Sequence, residues 1–297
     1  MNRLERLKKS LSSVHHSFTY YDRGESIHSL LRINLPGIVT HTEGIYVNGR
    51  QIKFDFSPIS PVKIEYFEKK EPDFDVEISA NHIIYQDQFI LIIYKPKGLS
   101  TLPTRERKTI NLKHKVESLL GYPVHLPSRL DTSTEGLVVL SKNEESHNAL
   151  QSLFVERRIT KKYLFETASK IPWSEKSVLL PIVKDLTHPI LRTVSSLGTK
   201  PARTDFTKLE IGDRHFVLAR PLTGRTHQIR VHAMASGIPI IGDNFYEGKF
   251  CNDGLRLISY SVSFAHPITN EKLTIFAPRN FWPAWAIPPL ELLEGEG

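Results

Sequence analysis

The stretch SRLDTSTEGLVVLSKN, residues 128–143, joins a charged turn to a short apolar run. The run GLVVLS, residues 136–141, is typical of a buried β-strand, and it follows a turn rich in hydroxyl side chains. In an extended chain, Arg129 and Asp131 point to one side while Leu130 points to the other. If Leu130 packs into the core, the arginine and the aspartate share an exposed face. The stretch therefore predicts a charged cleft beside the start of a buried strand.

The Arg129–Asp131 pair has two interpretations at this point. An arginine within about 4–6 Å lowers the pKa of a carboxyl group and holds it as an anion, which suits a reacting group. A solvated surface pair ahead of a Thr/Ser turn has the same sequence, and such pairs are common and contribute little. The triplet alone leaves both interpretations open.

Strand patterns lie on both sides of this stretch. Residues 82–100, HIIYQDQFILIIYKPKGLS, contain two apolar runs separated by three polar residues, which predicts a hairpin that ends in a loop. Asn143 is expected to cap a helix with an apolar stripe. Residues 159–169 alternate as a strand with Ile159, Lys161, Tyr163 and Phe165 on one face. Because strands outnumber helices and most connections are hairpins, we predict an α+β fold around a large, mainly antiparallel sheet.

The composition points to a polyanionic partner. The 297 residues include 39 Lys+Arg against 32 Asp+Glu, which gives a net charge of +7. A basic surface concentrates phosphate-bearing ligands around it, although many basic surfaces have no such partner. Clustering of the basic side chains in two segments favours nucleic acid. These side chains are Arg105, Arg107, Lys108, Lys113 and Lys115 in the first segment, and Arg157, Arg158, Lys161 and Lys162 in the second.

The cellular setting follows from the cysteine content and from hydropathy. The single cysteine, Cys251, excludes an intramolecular disulfide framework and is typical of a reducing compartment. The start, MNRLERLKKSLSSVHHS, lacks the apolar core of a signal peptide. No stretch approaches the roughly 18 apolar residues of a membrane span. We therefore expect a cytoplasmic protein without a membrane partner.

The chain is expected to divide into a small unit and a larger body. In the small unit, Ser26 is predicted to cap a short helix, and Asn48-Gly49 is typical of a tight hairpin turn. A charged segment with a proline and no apolar periodicity then reads as a linker. The predicted parts are a basic, weakly ordered leader (1–24), the small unit (25–68), the linker (69–80) and the main body (81–297).

A second long stretch, LTGRTHQIRVHAMASGIPIIGD at residues 222–243, has the pattern of a basic helix between turns. Thr226 is predicted to cap this helix, and the spacing of His227 and Arg230 places them on one face. His227 and His232 are five positions apart, whereas a zinc pair on one helix requires a spacing of four. No metal site is therefore predicted, and a basic helix with two hydrogen-bonded histidines is the plain alternative.

Taken together, these stretches resemble the RluA-type RNA pseudouridine synthases. The resemblance covers residues from about 85 to 280, in the order expected for the family. It implies a pseudouridine synthase-like catalytic domain that breaks the glycosidic bond of a uridine, turns the base and rejoins it through carbon five. It also implies that no metal or organic cofactor takes part. The matching stretches are LIIYKPKGLS, SRLDTSTEGLVVLSKN, RRITKKYLFE, TGRTHQIRVHAMASGIPIIGD and SFAHPITNEKLTIFAP.

Matched position by position, the resemblance implies catalytic roles for Asp131, Tyr163 and Arg230. Asp131 corresponds to the carboxylate that attacks the sugar or removes its 2′ proton, and both alternatives remain open. Arg230 corresponds to the basic residue that pairs with it, and Tyr163 to the tyrosine that packs on the base and handles the proton at carbon five. Arg129 corresponds to the arginine that wedges into the RNA where the uridine is flipped out. The other positions matched to the substrate site are Lys95, Pro96, Arg225, His227, Gln228 and Ile229.

Elementary chemistry agrees with these roles. A stacked base must be flipped at a cost of a few kcal/mol, and an inserted planar guanidinium can replace the lost stacking. An aspartate that acts as a nucleophile or base must be ionised at neutral pH, which a neighbouring arginine favours. A tyrosine can both stack on uracil and exchange a proton. The charge on Asp131 is therefore interpreted as a requirement of the reaction.

Three positions depart from the family pattern. Ser128 and Ser259 stand where histidine is common, and Glu135 stands where serine is usual. Because Asp131 and the other two catalytic matches are present, these departures bear on RNA identity and affinity. Glu135 has two interpretations, as a charge paired within the protein or as a group that reads the RNA.

The small unit resembles the αL-type RNA-binding module that precedes many of these enzymes, chiefly at EGIYVNGRQI, residues 43–52. The segment between Pro36 and Gly44 is short for that module, which predicts a truncated helix. RNA binding by this unit is expected, and a plain β-rich spacer is the alternative.

The implied partner of the whole chain is structured RNA, ribosomal or transfer RNA, bound by a monomer. Two other classes of function remain open. One is a non-catalytic RNA-binding or ribosome-assembly protein on the same fold. The other is a hydrolase that uses Asp131 with His227 or His125, although no G-x-S-x-G signature appears.

Overall fold

A computed structural model describes most of the chain in two compact units, Met1–Phe74 and Asp75–Gly297. The described residues are 13–20, 25–34, 45–52, 55–58, 61–69, 76–103, 110–185 and 191–294.

The described residues of the first unit form an antiparallel sheet and one helix, α1 (Ile27–Asn34). Asn48 and Gly49 have φ values of 47° and 80°, as the two central residues of a type I′ hairpin turn require, which confirms the predicted turn. Ile27, Leu31 and Ile64 have no exposed surface and form the centre of a small apolar core. The strands, in sheet order β1-β4-β2-β3, are Ser13–Tyr20 (β1), Val62–Lys69 (β4), Ile45–Val47 (β2) and Arg50–Gln51 (β3).

The structure differs from the predicted leader at β1. All eight of its residues pair antiparallel with Val62–Lys69, so this part of residues 1–24 is a strand. The alternating pattern of this strand is weak, because its composition is mostly polar. Its apolar and aromatic residues Val14, Phe18 and Tyr20 nevertheless all fall at even positions of the strand. Two other predictions, the truncated helix before Gly44 and most of the linker after β4, lie outside the described residues.

The second unit is built on a large mixed sheet, in which the described residues provide nine strands. Every strand pair in it is antiparallel except β7 with β14, which confirms the predicted α+β fold around a mainly antiparallel sheet. The sheet order is Ile83–Gln86 (β5), Ile90–Lys95 (β6), Glu135–Ser141 (β7), Leu257–Ala265 (β14), Thr160–Thr167 (β8), Arg214–Pro221 (β13), Thr204–Ile211 (β12) and Glu175–Val178 (β9), with Lys272–Phe276 (β15) paired to β14. A separate hairpin joins Ile182–Lys184 (β10) and Arg192–Val194 (β11).

The strand β7 lies in the core, as its apolar run predicts. Val138 and Leu140 pack on one side of the sheet, and Leu137 and Val139 pack on the other, all without exposed surface. A strand that is covered on both faces is apolar without alternation. Its first residue follows the turn that holds Asp131, so the sheet fixes the position of that turn.

Four helices complete the described part of the second unit: α2 (Leu112–Leu120), α3 (Glu144–Val155), α4 (Gln228–Ala235) and α5 (Ile287–Glu294). The Asn143 side chain accepts a hydrogen bond from the Ser146 backbone at 2.9 Å, which confirms the predicted cap of α3. Within the described residues, no helix has the length and apolar character to span a membrane.

The two basic clusters are only partly described. Lys113 and Lys115 lie on α2, whereas the three basic residues between positions 104 and 109 lie outside the described residues. In the second cluster, Lys161 is only 8% exposed, and burial lowers its pKa to about 8. Lys161 therefore does not belong to an exposed basic patch, in contrast to the sequence prediction.

Candidate active site

Arg230 is the buried cation of the site. It lies in the first turn of α4 with 4% of its surface exposed. Its Nε and Nη2 donate to the two carboxylate oxygens of Asp243 at 2.7 and 2.8 Å, in the parallel geometry that guanidinium groups favour. Burial alone would lower the pKa of Arg230, but the charge and hydrogen bonds of Asp243, with a smaller effect of Asp131, raise it above its usual value. Arg230 is therefore permanently charged.

Asp131 faces this cation at a longer distance. Its Oδ2 lies 3.7 Å from Arg230 Nη1 and 4.0 Å from His227 Nε2, and 21% of its side chain is exposed. At 3.7 Å the arginine contributes an ion pair and no direct hydrogen bond. Arg230 thus faces Asp131 as predicted, but its bidentate partner is Asp243, which the sequence prediction missed.

His227 occupies the N-cap of α4 with a left-handed φ of 57°. The structure differs here from the predicted cap at Thr226. The Tyr246 hydroxyl lies 2.7 Å from His227 Nδ1 and accepts a hydrogen bond from the Arg192 backbone. The arrangement that satisfies these groups has the hydroxyl donate to Nδ1, so that Nε2 carries the ring proton toward Asp131. Burial, followed by the charge of Arg230, lowers the pKa of His227 to about 4.

His227 should make the protein less stable in acid. Between pH 6.5 and pH 4 the unfolded chain binds a proton at this position while the folded chain does not, so stability falls as pH decreases through that window. We expect His227→Gln to remove this contribution, which is at most about 3 kcal/mol. Denaturant unfolding at pH 4.5 and pH 7 would measure it, with exposed His114→Gln as the control. The same pH dependence in His227→Gln and in the wild type would contradict the assignment.

Tyr163 reaches the site from the central sheet. It lies in β8 between Ser259 of β14 and Ala219 of β13, and it is 7% exposed. Burial raises its pKa above the usual value for a phenol, and the charge of Asp131 adds to this effect. Tyr163 is therefore a neutral phenol that can donate a proton or a hydrogen bond.

Arg129 lies at the exposed rim. Its Nη2 donates to the Thr226 hydroxyl at 2.6 Å, so the two long motifs meet at this contact. Leu130 points the other way and is buried with 5% exposure, which confirms the predicted alternation of the turn. Arg225 is exposed on the same rim, and its Nε donates to the Pro201 carbonyl at 3.3 Å.

Gln228 organises the turn before α4 and is itself buried. Its Oε1 accepts from the Thr223 hydroxyl at 2.6 Å and from the Arg225 backbone at 3.0 Å. Its Nε2 donates to the Arg203 carbonyl and to the Thr204 hydroxyl. Because its side-chain oxygen and nitrogen both have partners within the protein, Gln228 stabilises the turn that forms one wall of the site.

Lys95 and Pro96 support the site from behind. Lys95 has no exposed surface, and its ammonium donates to the carbonyls of Pro96, Leu99 and Thr132 at 3.0, 2.9 and 3.4 Å. Burial lowers its pKa to about 7, against the opposing charges of Asp131 and Glu135. Lys95 therefore has no exposed surface that a ligand could contact.

One cavity collects most of the predicted residues. Its lining includes Asp131, Tyr163, Arg230, Arg129, Arg225, His227, Gln228 and Ile229, but neither Lys95 nor Pro96. Among the described residues, no group of three His, Cys, Asp or Glu side chains is placed to hold a metal ion. The cavity thus offers a carboxylate, a neutral phenol and a fixed cation, a set suited to proton transfer or nucleophilic attack.

The hydrolase alternative finds less support in this geometry. The rings of His125 and His147 lie 5.1 Å apart, and His125 does not line the cavity of Asp131. His227 is within 4.0 Å of Asp131, but its lowered pKa makes it a weak base at neutral pH.

Asp243 and Tyr246 are the functional residues that the sequence analysis missed. Asp243 is the last residue of the quoted stretch 222–243, so its place in a shared motif was the available signal. Tyr246 lies just beyond that stretch, and no local pattern marks it. Both act on the site through other side chains, Asp243 through Arg230 and Tyr246 through His227.

Comparison with known proteins identifies the family. Residues 89–235 match the family described as RNA pseudouridylate synthase. A dual-specificity RNA pseudouridine synthase RluA of Vibrio parahaemolyticus is 33% identical over 216 residues, which cover 68% of this chain and 84% of that protein. The RluA of Escherichia coli K12 is 32% identical over 209 residues, covering 67% of this chain and 93% of its own.

Solved structures agree with this result. Human RNA pseudouridylate synthase domain containing 1 aligns with a TM-score of 0.57 at 27% identity, covering 72% of this chain and 88% of its own. Human RNA pseudouridylate synthase domain containing 4 aligns with a TM-score of 0.56 at 25% identity, covering 72% and 93%. With relatives above 30% identity matched over most of their length, the chain belongs to the RluA-type RNA pseudouridine synthases.

Proposed function

We propose that this enzyme converts uridines of structured ribosomal or transfer RNA to pseudouridine, with Asp131 as the reacting group and without a cofactor. The observation that carries the proposal is the convergence of Asp131, Arg230 and Tyr163 on one cavity. They come from three separate parts of the chain, a turn, a helix and a strand, and the cavity is open at the rim that holds Arg129.

Asp131 supplies the negative charge of the reaction. The Arg230 guanidinium faces the carboxylate as a counter-charge, and the 3.7 Å separation leaves both carboxylate oxygens free to approach the ribose. The carboxylate either attacks the sugar carbon or removes the 2′ proton, and the geometry is compatible with both. In either case Arg230 is held in place by Asp243 and does not follow the substrate.

Tyr163 provides a flat surface and a proton-exchanging hydroxyl beside Asp131. An aromatic ring stacks on uracil, and the hydroxyl can relay the proton that leaves carbon five by taking it up while it passes its own proton to water or to a carboxylate such as Asp131. Because burial and the charge of Asp131 raise the pKa of Tyr163, a free phenolate is disfavoured, so the hydroxyl takes up one proton as it releases the other.

Tyr163→Phe should separate these two roles. The variant keeps the stacking ring and loses the hydroxyl, so we expect RNA binding within about threefold of wild type and nearly no completed pseudouridine. Mass spectrometry of digested RNA would measure the product. Product at the wild-type rate would assign the proton step to water or to another residue.

Arg129 is suited to the opening of the RNA stack. Its guanidinium lies at the exposed rim, on the same turn as Asp131, and its hydrogen bond to the Thr226 hydroxyl holds a planar group at the mouth of the cavity. Inserted into the space of a flipped uridine, it would replace part of the lost stacking energy.

The substrate class rests on charge and on the relatives. The net charge of +7 favours a polyanion, and the relatives in Vibrio parahaemolyticus and Escherichia coli are named dual-specificity enzymes. We propose that this chain acts on ribosomal or transfer RNA, as a cytoplasmic monomer. RNA binding by the N-terminal unit, with its hairpin turn at Asn48-Gly49, belongs to the same proposal.

A tritium-release assay tests the proposed function. Ribosomal and transfer RNA transcripts made with uridine tritiated at carbon five lose tritium to water when pseudouridine forms. We expect release by the purified full chain, with pseudouridine in the digested RNA. Free uracil would instead identify a glycosidic hydrolase, and RNA binding without either product would identify a non-catalytic protein.

A further inference from the structure

Glu135 is the first residue of β7, and only 8% of its surface is exposed. A carboxylate at this depth needs partners, because an unpaired buried charge is costly. Its Oε2 accepts a hydrogen bond from the Tyr94 hydroxyl at 3.0 Å, and its Oε1 lies 3.4 Å from the Lys97 ammonium. Within the part of the chain that the structure describes, Oε1 receives no hydrogen bond. The charge of Lys97 is therefore its main compensation.

Lys97 connects three segments around the catalytic turn. Besides its ion pair with Glu135, its ammonium donates to the Asp253 carbonyl at 3.0 Å, in the loop before β14. In its own loop, the Gly98 backbone donates to the Thr132 carbonyl of the turn that carries Asp131. The loop 95–99 is thereby attached on both sides, to the aspartate turn and to the segment preceding β14.

The strand under this connection packs closely against its neighbour. Gly136 has a φ of +116°, and a Cβ atom at this position would lie 2.2 Å from the Ser259 carbonyl oxygen. Strands β7 and β14 are in close backbone contact there, in the parallel pair that aligns Glu135 with Ile258. Glu135 thus lies beside a point of close backbone contact between the two strands.

The charges around Lys95 give this arrangement a consequence for the reaction. The groups that face its buried ammonium are the carboxylates of Asp131 and Glu135 and the ammonium of Lys97, together with the carbonyls it contacts. Two carboxylates therefore balance Lys95, and only one of them reacts. Without Glu135, the charge of Lys95 would be opposed by Asp131 alone.

We propose that Glu135 is a positioning residue. Its ion pair with Lys97 holds the loop 95–99 against the aspartate turn, and its negative charge compensates Lys95 together with the charge of Asp131. The inference rests on the proposed function, because it gives Asp131 the reacting role. It also decides between the two interpretations of Glu135 left open by the sequence. A side chain with internal partners for its charge and little exposed surface is not available to read a base edge.

An NMR titration tests the electrostatic part without an activity assay. The full chain is labelled with ¹³C at the lysine ε-carbons, and the Lys95 signal is assigned from a Lys95→Arg variant. In Glu135→Gln we expect the titration midpoint of Lys95 to fall by about half a pH unit or more, because one opposing charge is lost. In Lys97→Met it should rise, because a like charge is lost. Exposed Glu145→Gln should leave it unchanged, and a midpoint that does not move in Glu135→Gln would overturn the proposal.

Steady-state kinetics test the positioning part. For Glu135→Gln we expect kcat to fall about tenfold, as a displaced aspartate turn predicts. The KM for RNA should stay within about twofold, and Glu135→Asp should recover part of the loss. A change in KM alone, or a change in which uridines are modified, would overturn the proposal in favour of RNA recognition. If Glu135→Gln shifts the Lys95 midpoint as expected but the wild-type protein forms no pseudouridine, the proposed function itself is contradicted.

Discussion

Asp131→Asn is expected to abolish pseudouridine formation, leaving less than about 1% of the wild-type rate. The amide keeps the size and shape of the side chain but cannot act as an anionic nucleophile or base. Because Asp131 is one-fifth exposed and makes no direct hydrogen bond with Arg230, folding should be little affected. RNA binding should stay within a few-fold of wild type, since contacts to phosphates supply a large share of the affinity in protein–nucleic acid complexes. Single-turnover tritium release and filter binding would measure the two quantities.

The matched control for this variant is Asp213→Asn, an exposed aspartate in the turn between β12 and β13. It removes the same charge without touching the cavity and should keep full activity. Activity of Asp131→Asn well above about 1%, with the control normal, would show that another group initiates the reaction.

Arg230→Met is expected to cost both activity and stability. The substitution leaves the Asp243 carboxylate, whose side chain has no exposed surface, without its counter-charge. Breaking a buried pair in this way typically destabilises a protein by about 3–5 kcal/mol. The cation that faces Asp131 is lost at the same time, so little activity should remain. Denaturant unfolding and the tritium assay would measure these effects.

A double variant separates the two effects of Arg230→Met. Arg230→Met with Asp243→Asn removes both charges, and the asparagine side-chain oxygen can still accept the backbone hydrogen bonds of Phe245 and Tyr246. We expect stability to recover by about 2 kcal/mol or more while activity stays low. Wild-type stability in the single variant, or wild-type activity in the double variant, would contradict the assigned role of the pair.

Much of the fold could be predicted because the local sequence patterns match the elements that the sheet contains. The apolar run of β7, the hairpin of β5 and β6, and the cap at Asn143 each follow from their own few residues. Long-range features behaved differently. The parallel pairing of β7 with β14 joins segments more than a hundred residues apart, and no local pattern specifies such a pair.

The site was predicted best where a residue corresponds to a position of a family motif. Asp131, Tyr163 and Arg230 were each placed by resemblance, and the structure brings all three to one cavity. The bidentate partner of Arg230, Asp243, was missed. The resemblance pointed to Asp131 as the partner, and no local spacing pattern brings the turn after α4 back to that helix. Burial of Lys95 was likewise invisible, since a lysine in a loop sequence is normally exposed.

Pseudouridine mapping of total RNA tests the central claim most directly. RNA is compared from cells that lack the gene and from the same cells supplied with the wild-type chain or with Asp131→Asn. We predict that one or a few uridines of ribosomal or transfer RNA lose the modification in the deletion, regain it with the wild type, and do not regain it with Asp131→Asn. An unchanged map in the deletion, or restoration by Asp131→Asn, would contradict the claim that this chain forms pseudouridine in RNA through Asp131.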